Sequence, residues 1–180
     1  MAGESGEIQR TTARDGMKAG ILIGHLNDHG NEGNIIRTTE AFGLNNIFVL
    51  GKRKPVYGTS QGADRHVNFY EFSSEEEVID YCIKNNHHIV CIENITSAIE
   101  IGNLTKPDRN IWPQNPIFIT GNEARGVPES FLKVSDLTIK IDQGFGYVNC
   151  LNTAVALAIV IHAFIQYRRD RRENKWGDAD

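Results

Sequence analysis

Apolar residues fall along this chain in short runs of strand length, separated by polar segments that carry helical spacing. Runs at 19–26, 46–50, 69–72, 88–92, 117–120 and 137–141 predict strands. Between the first two runs, a polar, glycine-rich turn at 27–33 leads into a predicted helix. There Ile35, Thr38, Thr39 and Phe42 recur at helical spacing and Gly43 supplies the stop. Ser73 opens a second helix over 75–85, with acids in its first turn as the helix dipole prefers. Residues 51–66 read as loop, and a polar excursion bearing Trp112 and Pro113 fills the space before Pro116. Pro128 starts a short helix. Strands alternating with helices predict an α/β domain, a mostly parallel sheet flanked by helices.

The strongest pattern is IKIDQGFGYVNCLNTAVALAIVIHAF at 139–164. A short strand passes through a loop with Gly144 and Gly146 and enters a long helix near Leu151. Apolar residues lie on every face of that helix, and its polar residues are confined to Asn152, Thr153 and His162. Such a helix is expected to be buried nearly all round, against its own sheet and against a second subunit. Asn149 and Asn152 are both candidates to cap it.

Composition narrows the class. A chain of 180 residues with 40% hydrophobic and 23% charged residues is a soluble globular protein of one domain. The expected division is a mobile tail at 1–18, a single domain at 19–169 and a charged tail at 170–180. The apolar run 154–161 is too short to span a bilayer, and the N-terminus has no signal-peptide pattern. Three cysteines without CxxC spacing indicate neither a disulfide framework nor a zinc site, which predicts no metal and a cytoplasmic (intracellular) location. The net charge of −4 argues against coating nucleic acid by bulk electrostatics, while leaving room for local basic patches.

Three loops follow predicted strands, where open α/β sheets bind ligands. They read Asn31-x-Gly33-x-x-x-Arg37, Gly121-Asn122-Glu123-x-x-Gly126 and Gly146-x-x-x-Cys150-Leu151-Asn152. None is the dinucleotide fingerprint GxGxxG or the phosphate loop GxxxxGK[ST]. Glycines there let the backbone approach a ligand, and Asn and Glu side chains can orient it.

Taken together, these loops make the chain resemble a SpoU-type (TrmH-like) RNA ribose 2′-O-methyltransferase, of the SPOUT superfamily. NEGNIIRTTEAFGL resembles the family's first motif, with its Asn and Arg on Asn31 and Arg37. ITGNEARGVP resembles the second, with Asn122 and Glu123 as its Asn-Glu pair. GYVNCLNTAVALAI resembles the third, placing Gly146, Leu151 and Asn152 on its characteristic positions. The similarity spans 19–166 and includes the Ser-x-Gly-Ala segment beginning at Ser60. It implies a deep C-terminal trefoil knot, a homodimer with a shared site, and S-adenosylmethionine (SAM) as methyl donor. The cofactor would lie in the loops 120–126, 141–146 and 147–152, touching Thr120, Gly121, Asn122, Gly126, Ile141, Gly146, Cys150, Leu151 and Asn152. Arg37, Asn31, Glu123 and Asn152 become the catalytic candidates, Glu123 as either a base or an orienter. An arginine holds its proton too tightly to act as a base, so Arg37 is expected to position the ribose and its phosphate. Arg37, with the loop cluster Lys52, Arg53 and Lys54, is the expected RNA contact.

The third motif departs from the family pattern. Cys150 stands where relatives carry Ser, Thr153 and Ala154 follow Asn152 in place of Val-Ser, and Lys140 follows Ile139 where Pro is usual. A thiol is a weaker donor than a hydroxyl, which favours a packing role for Cys150. Taken singly, Arg37 also reads as a surface arginine, Asn31 as a helix cap, and His162 as a core or interface residue. The favoured reading is methylation of structured RNA, with tRNA ahead of rRNA because its compact shape suits a dimer's grip. The alternative is an inactive knotted RNA-binding or dimerisation module.

Overall fold

The computed structural model describes residues 18–24, 29–51, 60–104, 111–122, 125–144, 147 and 150–177. At its centre is a seven-stranded sheet. In chain order the strands are β1 (Gly20–Gly24), β2 (Asn46–Leu50), β3 (Asn68–Phe72), β4 (His88–Ile92), β5 (Ile99–Glu100), β6 (Pro116–Thr120) and β7 (Leu137–Lys140). They lie side by side as β3-β2-β1-β6-β4-β7-β5, and each of these strand pairs is parallel.

A parallel sheet is covered on both faces, so its strands read as near-continuous apolar runs. Alternate residues then feed two cores. Ile21, Ile23, Val90, Ile92, Phe118 and Ile139 face one layer, whereas Leu22, Phe48, Ile89, Cys91, Ile117 and Ile119 face the other. The first face is covered by α1 (His29–Ala41), α3 (Ile101–Leu104) and α5 (Thr153–Gly177). The second is covered by α2 (Glu75–Lys84) and α4 (Glu129–Val134). The expected α/β class and parallel sheet are therefore present. Of the loops expected to belong to the knot, 120–126, 141–146 and 147–152, residues 123, 124, 145, 146, 148 and 149 lie outside the described residues.

Several local expectations change. Helix α1 begins at His29, so Asn31 and Gly33 sit inside its first turns rather than in a turn before it. Asn31 is consequently not the cap of this helix. Glycine and asparagine are poor helix formers, but packing of the Ile35 and Ile36 side chains, fully buried, overrides that propensity. Ser74, not Ser73, caps α2: its hydroxyl accepts the Glu77 N–H at 3.3 Å, while the Ser73 N–H donates to Glu77 Oε2 at 2.7 Å. The predicted loop 51–66 contains a 3₁₀ turn, Ala63–His66. Within the polar excursion, β5 and α3 form a two-residue strand and a single helical turn. Trp112 anchors that excursion. Its indole is buried, donates to the Leu104 carbonyl at 3.1 Å, and packs with its centroid 5.4 Å from that of Phe164.

Helix α5 continues through 170–177, part of the segment read as a charged tail. Its expected burial on all sides does not hold within one chain. Val155 is 48% exposed and Ile159 38%, and His162 is exposed beside them, its ring edge-on to Phe42. These residues recur at i, i+4 and i+7, so they form one stripe on the helix.

Candidate functional site

Strands β6, β4 and β7 are neighbours, and their C-terminal ends open together. Each strand there ends in or gives way to polar residues: Thr120 closes β6 and Asn122 follows it, Glu93 and Asn94 follow β4, and Lys140 closes β7 with Asp142 and Gln143 beyond it. A cavity of about 190 Å³ lies between them. Its walls combine Ile92, Ile139, Ile141 and Leu151 with the backbone of the Gly121 loop.

That loop is a tight return. The Asn122 N–H donates to the Gly126 carbonyl at 3.2 Å, and the Gly126 N–H donates to the Asn122 carbonyl at 2.8 Å. The chain folds back so closely that a Cβ on Gly121 would sit 2.0 Å from the Gly126 carbonyl carbon. Gly126 itself has φ +68°, a left-handed conformation that favours glycine. Gly121 is thus explained by backbone-on-backbone contact at the cavity's rim, and Gly126 by its left-handed backbone. Glu123, between them, lies outside the described residues, as does Gly146 in the third loop. Lys52, Arg53 and Lys54 also lie outside them.

The start of α5 forms the partition of the site. Asn152 caps the helix, its Oδ1 accepting the Ala154 N–H at 3.0 Å and the Val155 N–H at 3.3 Å. Its Nδ2 donates to Asn31 Oδ1 at 2.9 Å, joining α5 to α1. Asn31 is 4% exposed, so its half of the amide pair is withdrawn from water, whereas Asn152 remains exposed. Thr153 turns the other way and donates its hydroxyl to the Gly121 carbonyl at 3.4 Å.

On the far side of that partition, α1 and α5 enclose an open groove of about 650 Å³. Arg37, exposed on α1, lines it together with Asn34, Phe42, Asn152, Val155 and Ile159. The residues expected to hold a cofactor therefore divide. Thr120, Gly121, Asn122, Gly126, Ile141, Cys150 and Leu151 line the cavity. Asn152 lines the groove with Arg37, and Asn31 stands behind it. Two consecutive residues, Leu151 and Asn152, thus face different concavities.

The thiols differ sharply. Burial pushes the Cys91 thiol up to about 12, with the Glu93 carboxylate adding to the rise and a Ser135 hydrogen bond opposing it. Burial pushes Cys82 up to about 12 as well, reinforced by Asp136. Both are inert packing residues, whereas Cys150 is exposed at the cavity. Among the described residues, no three His, Cys, Asp or Glu side chains are grouped to hold a metal ion. No described helix is long and apolar enough to cross a membrane.

Sequence reasoning missed Glu93, Lys140 as a wall residue, and Thr153. Glu93 and Lys140 do carry a signal: each is a charged residue at the C-terminal end of a buried parallel strand, the end at which such sheets bind ligands.

The chain matches the model of the SpoU rRNA Methylase family over residues 18–162. It is 25% identical over 168 residues to a protein of Staphylococcus aureus (strain MSSA476) assigned to the TrmH family of tRNA/rRNA methyltransferases. That match covers 91% of this chain and 64% of the relative, so the chain spans less than two thirds of the relative's length. The fold is similar to that of the A. aeolicus TrmH/SpoU tRNA modifying enzyme, with TM-score 0.73 and 19% identity over 86% of this chain and 78% of that one. It is also similar to the SpoU methyltransferase AviRb of Streptomyces viridochromogenes in complex with AdoMet. There the TM-score is 0.73 and the identity 21%, over 88% of this chain and 64% of that one.

The Asn31–Asn152 pair yields a direct test. In a double-mutant cycle of Asn31→Ala and Asn152→Ala, followed by urea denaturation, the coupling should be about 0.5–1.5 kcal/mol. Asn152→Ala alone should cost more than Asn31→Ala, because it also removes the cap of α5. A coupling near zero would show that the two amides do not depend on each other.

Proposed function

The chain belongs to the SpoU rRNA Methylase family, and from that membership we propose that it methylates a ribose 2′-hydroxyl of structured RNA with SAM as donor. The observation that carries this reading is the partition at the start of α5. It sets a small, partly apolar cavity beside a wider groove that bears Arg37.

The cavity suits SAM on its own chemistry. Ile92, Ile139, Ile141 and Leu151 offer an apolar slot for a purine, and strand-end backbone groups offer donors and acceptors at its edge. Gly121 and Gly126 hold the rim where any side chain would collide. When bound, SAM supplies an electrophilic methyl group. The ribose hydroxyl is a poor nucleophile, so the chain's task is to place it in line and keep it there. Arg37 does this from the groove, its guanidinium forming charge-assisted bonds to the neighbouring phosphate. Asn31 holds Asn152, and Asn152 holds the first turn of α5, so groove and cavity keep a fixed separation. Glu123 remains in the proposed catalytic set as base or orienter, and Lys52, Arg53 and Lys54 in the proposed RNA contact.

The preferred substrate is tRNA, with rRNA the alternative. Incubation of each RNA with methyl-deuterated SAM, then nucleoside mass spectrometry, should place label on 2′-O-methylnucleosides. Arg37→Ala should lower the rate roughly a hundred- to thousandfold while leaving SAM affinity within about twofold. Cys150→Ser should retain activity. Label on a base would refute ribose methylation. No label from either wild type or Cys150→Ser, on tRNA or rRNA, would leave the inactive RNA-binding module as the better reading.

The proposed assembly is a two-fold dimer in which a second copy covers the exposed stripe Val155, Ile159 and His162. Apolar residues on one face of α5 support it, since water contact with that stripe is unfavourable. Light scattering at micromolar concentration should give twice the chain mass, and a monomer there would exclude the dimer.

A further inference from the structure

Glu93 is absent from the three motifs, yet it touches both walls of the cavity. It is the first residue after β4, between the ends of β6 and β7. Its backbone N–H donates to the Ile139 carbonyl at 3.0 Å, fixing the β7 wall. Its carboxylate turns to the opposite wall, where Oε2 accepts the Val127 N–H at 2.7 Å. The other oxygen, Oε1, accepts the exposed N–H of Asn94 at 3.0 Å.

The Val127 bond matters because the ladder has ended. The β4–β6 register runs out at Ile92 and Thr120, so the returning loop needs other partners for its backbone groups. Val127 is 5% exposed, so loss of the carboxylate would leave a donor with poor access to water. The fit is also steric. A Cβ on Gly126 would lie 2.4 Å from Glu93 Oε2, so the carboxylate fills the place a side chain would take. The glycine of the second motif and this acid are therefore complementary parts of one contact.

We propose that Glu93 is a positioning residue for the cofactor: its carboxylate latches Gly126 and Val127 against the end of β4 and thereby sets the width of the SAM cavity. This rests on the reading that the cavity holds SAM. The latch is local, and Arg37 lies across the α5 partition, so Glu93 acts on cofactor binding rather than on placement of the ribose.

Two variants separate latch from general damage. In Glu93→Gln the amide oxygen can still accept the Val127 N–H, whereas Glu93→Ala offers no acceptor. Hydrogen exchange without any ligand should show the Val127 amide exchanging about tenfold faster or more in Glu93→Ala, and within about threefold of wild type in Glu93→Gln. Calorimetry should show SAM binding weakened about tenfold by Ala and largely restored by Gln. At saturating SAM and RNA, kcat of Glu93→Ala should stay within about threefold, with the loss in KM for SAM. Unchanged Val127 exchange in Glu93→Ala overturns the latch. Unchanged SAM affinity, or a fall in kcat with KM unmoved, overturns its role in the cofactor site. If wild type binds no SAM, the proposed function fails together with that role, while the exchange measurement still decides whether the latch exists.

Discussion

The hydrogen bond from Asn152 to Asn31 joins positions 121 residues apart, and the geometry of the site depends on it. One amide group performs three tasks at once. Its oxygen caps a long helix, its nitrogen ties that helix to α1, and its backbone stands between two concavities. Capping satisfies N–H groups that a helix end otherwise leaves open. Because the cap is shared with a buried side chain of another helix, the first turn of α5 has little freedom to tilt. The cavity wall at Leu151 and the groove wall at Ala154 are thereby held by the same contact.

The sheet explains why polar residues gather here at all. Strands covered on both faces have no room for charge along their length, and β6 is buried at every position. Polar chemistry is displaced to the strand ends, where loops can reach water. At the ends of β4, β6 and β7 that produces Glu93, Asn122 and Lys140 within one small volume. Lys140 stays partly covered, its ammonium 3.8 Å from the Glu100 carboxylate. Its presence where relatives are expected to carry proline leaves that wall with a side chain able to bend.

The sheet was legible because β6, β4 and β7 are apolar runs of strand length, and the long helix because it opens on the unbroken apolar run 154–161. The first turn of α1 was not legible: Asn31 and Gly33 read as turn residues, and only packing against the sheet makes them helical. Nor were β5 and α3, which are too short to carry periodicity; β5 is held by its pairing with β7 and α3 by the Trp112 bond to Leu104. The grouping of Thr120, Gly121, Asn122 and Gly126 with Cys150 and Leu151 followed from the motifs. The division between Leu151 and Asn152 did not, since a spacing cannot say which side of a helix entrance a residue faces. Glu93 escaped notice because its role is set by a partner 34 residues away in sequence.

If the partition at α5 separates a proposed SAM cavity from a proposed RNA-facing groove, SAM should perturb one side of it and spare the other. Backbone amide NMR during titration with SAM distinguishes the two sides. The largest shifts should fall at 92–94, 120–122 and 139–143, with small ones at 34–42 and 158–162. Largest shifts along the α1–α5 groove, with the strand-end cavity unmoved, would place SAM on the wrong side of the partition and overturn the division.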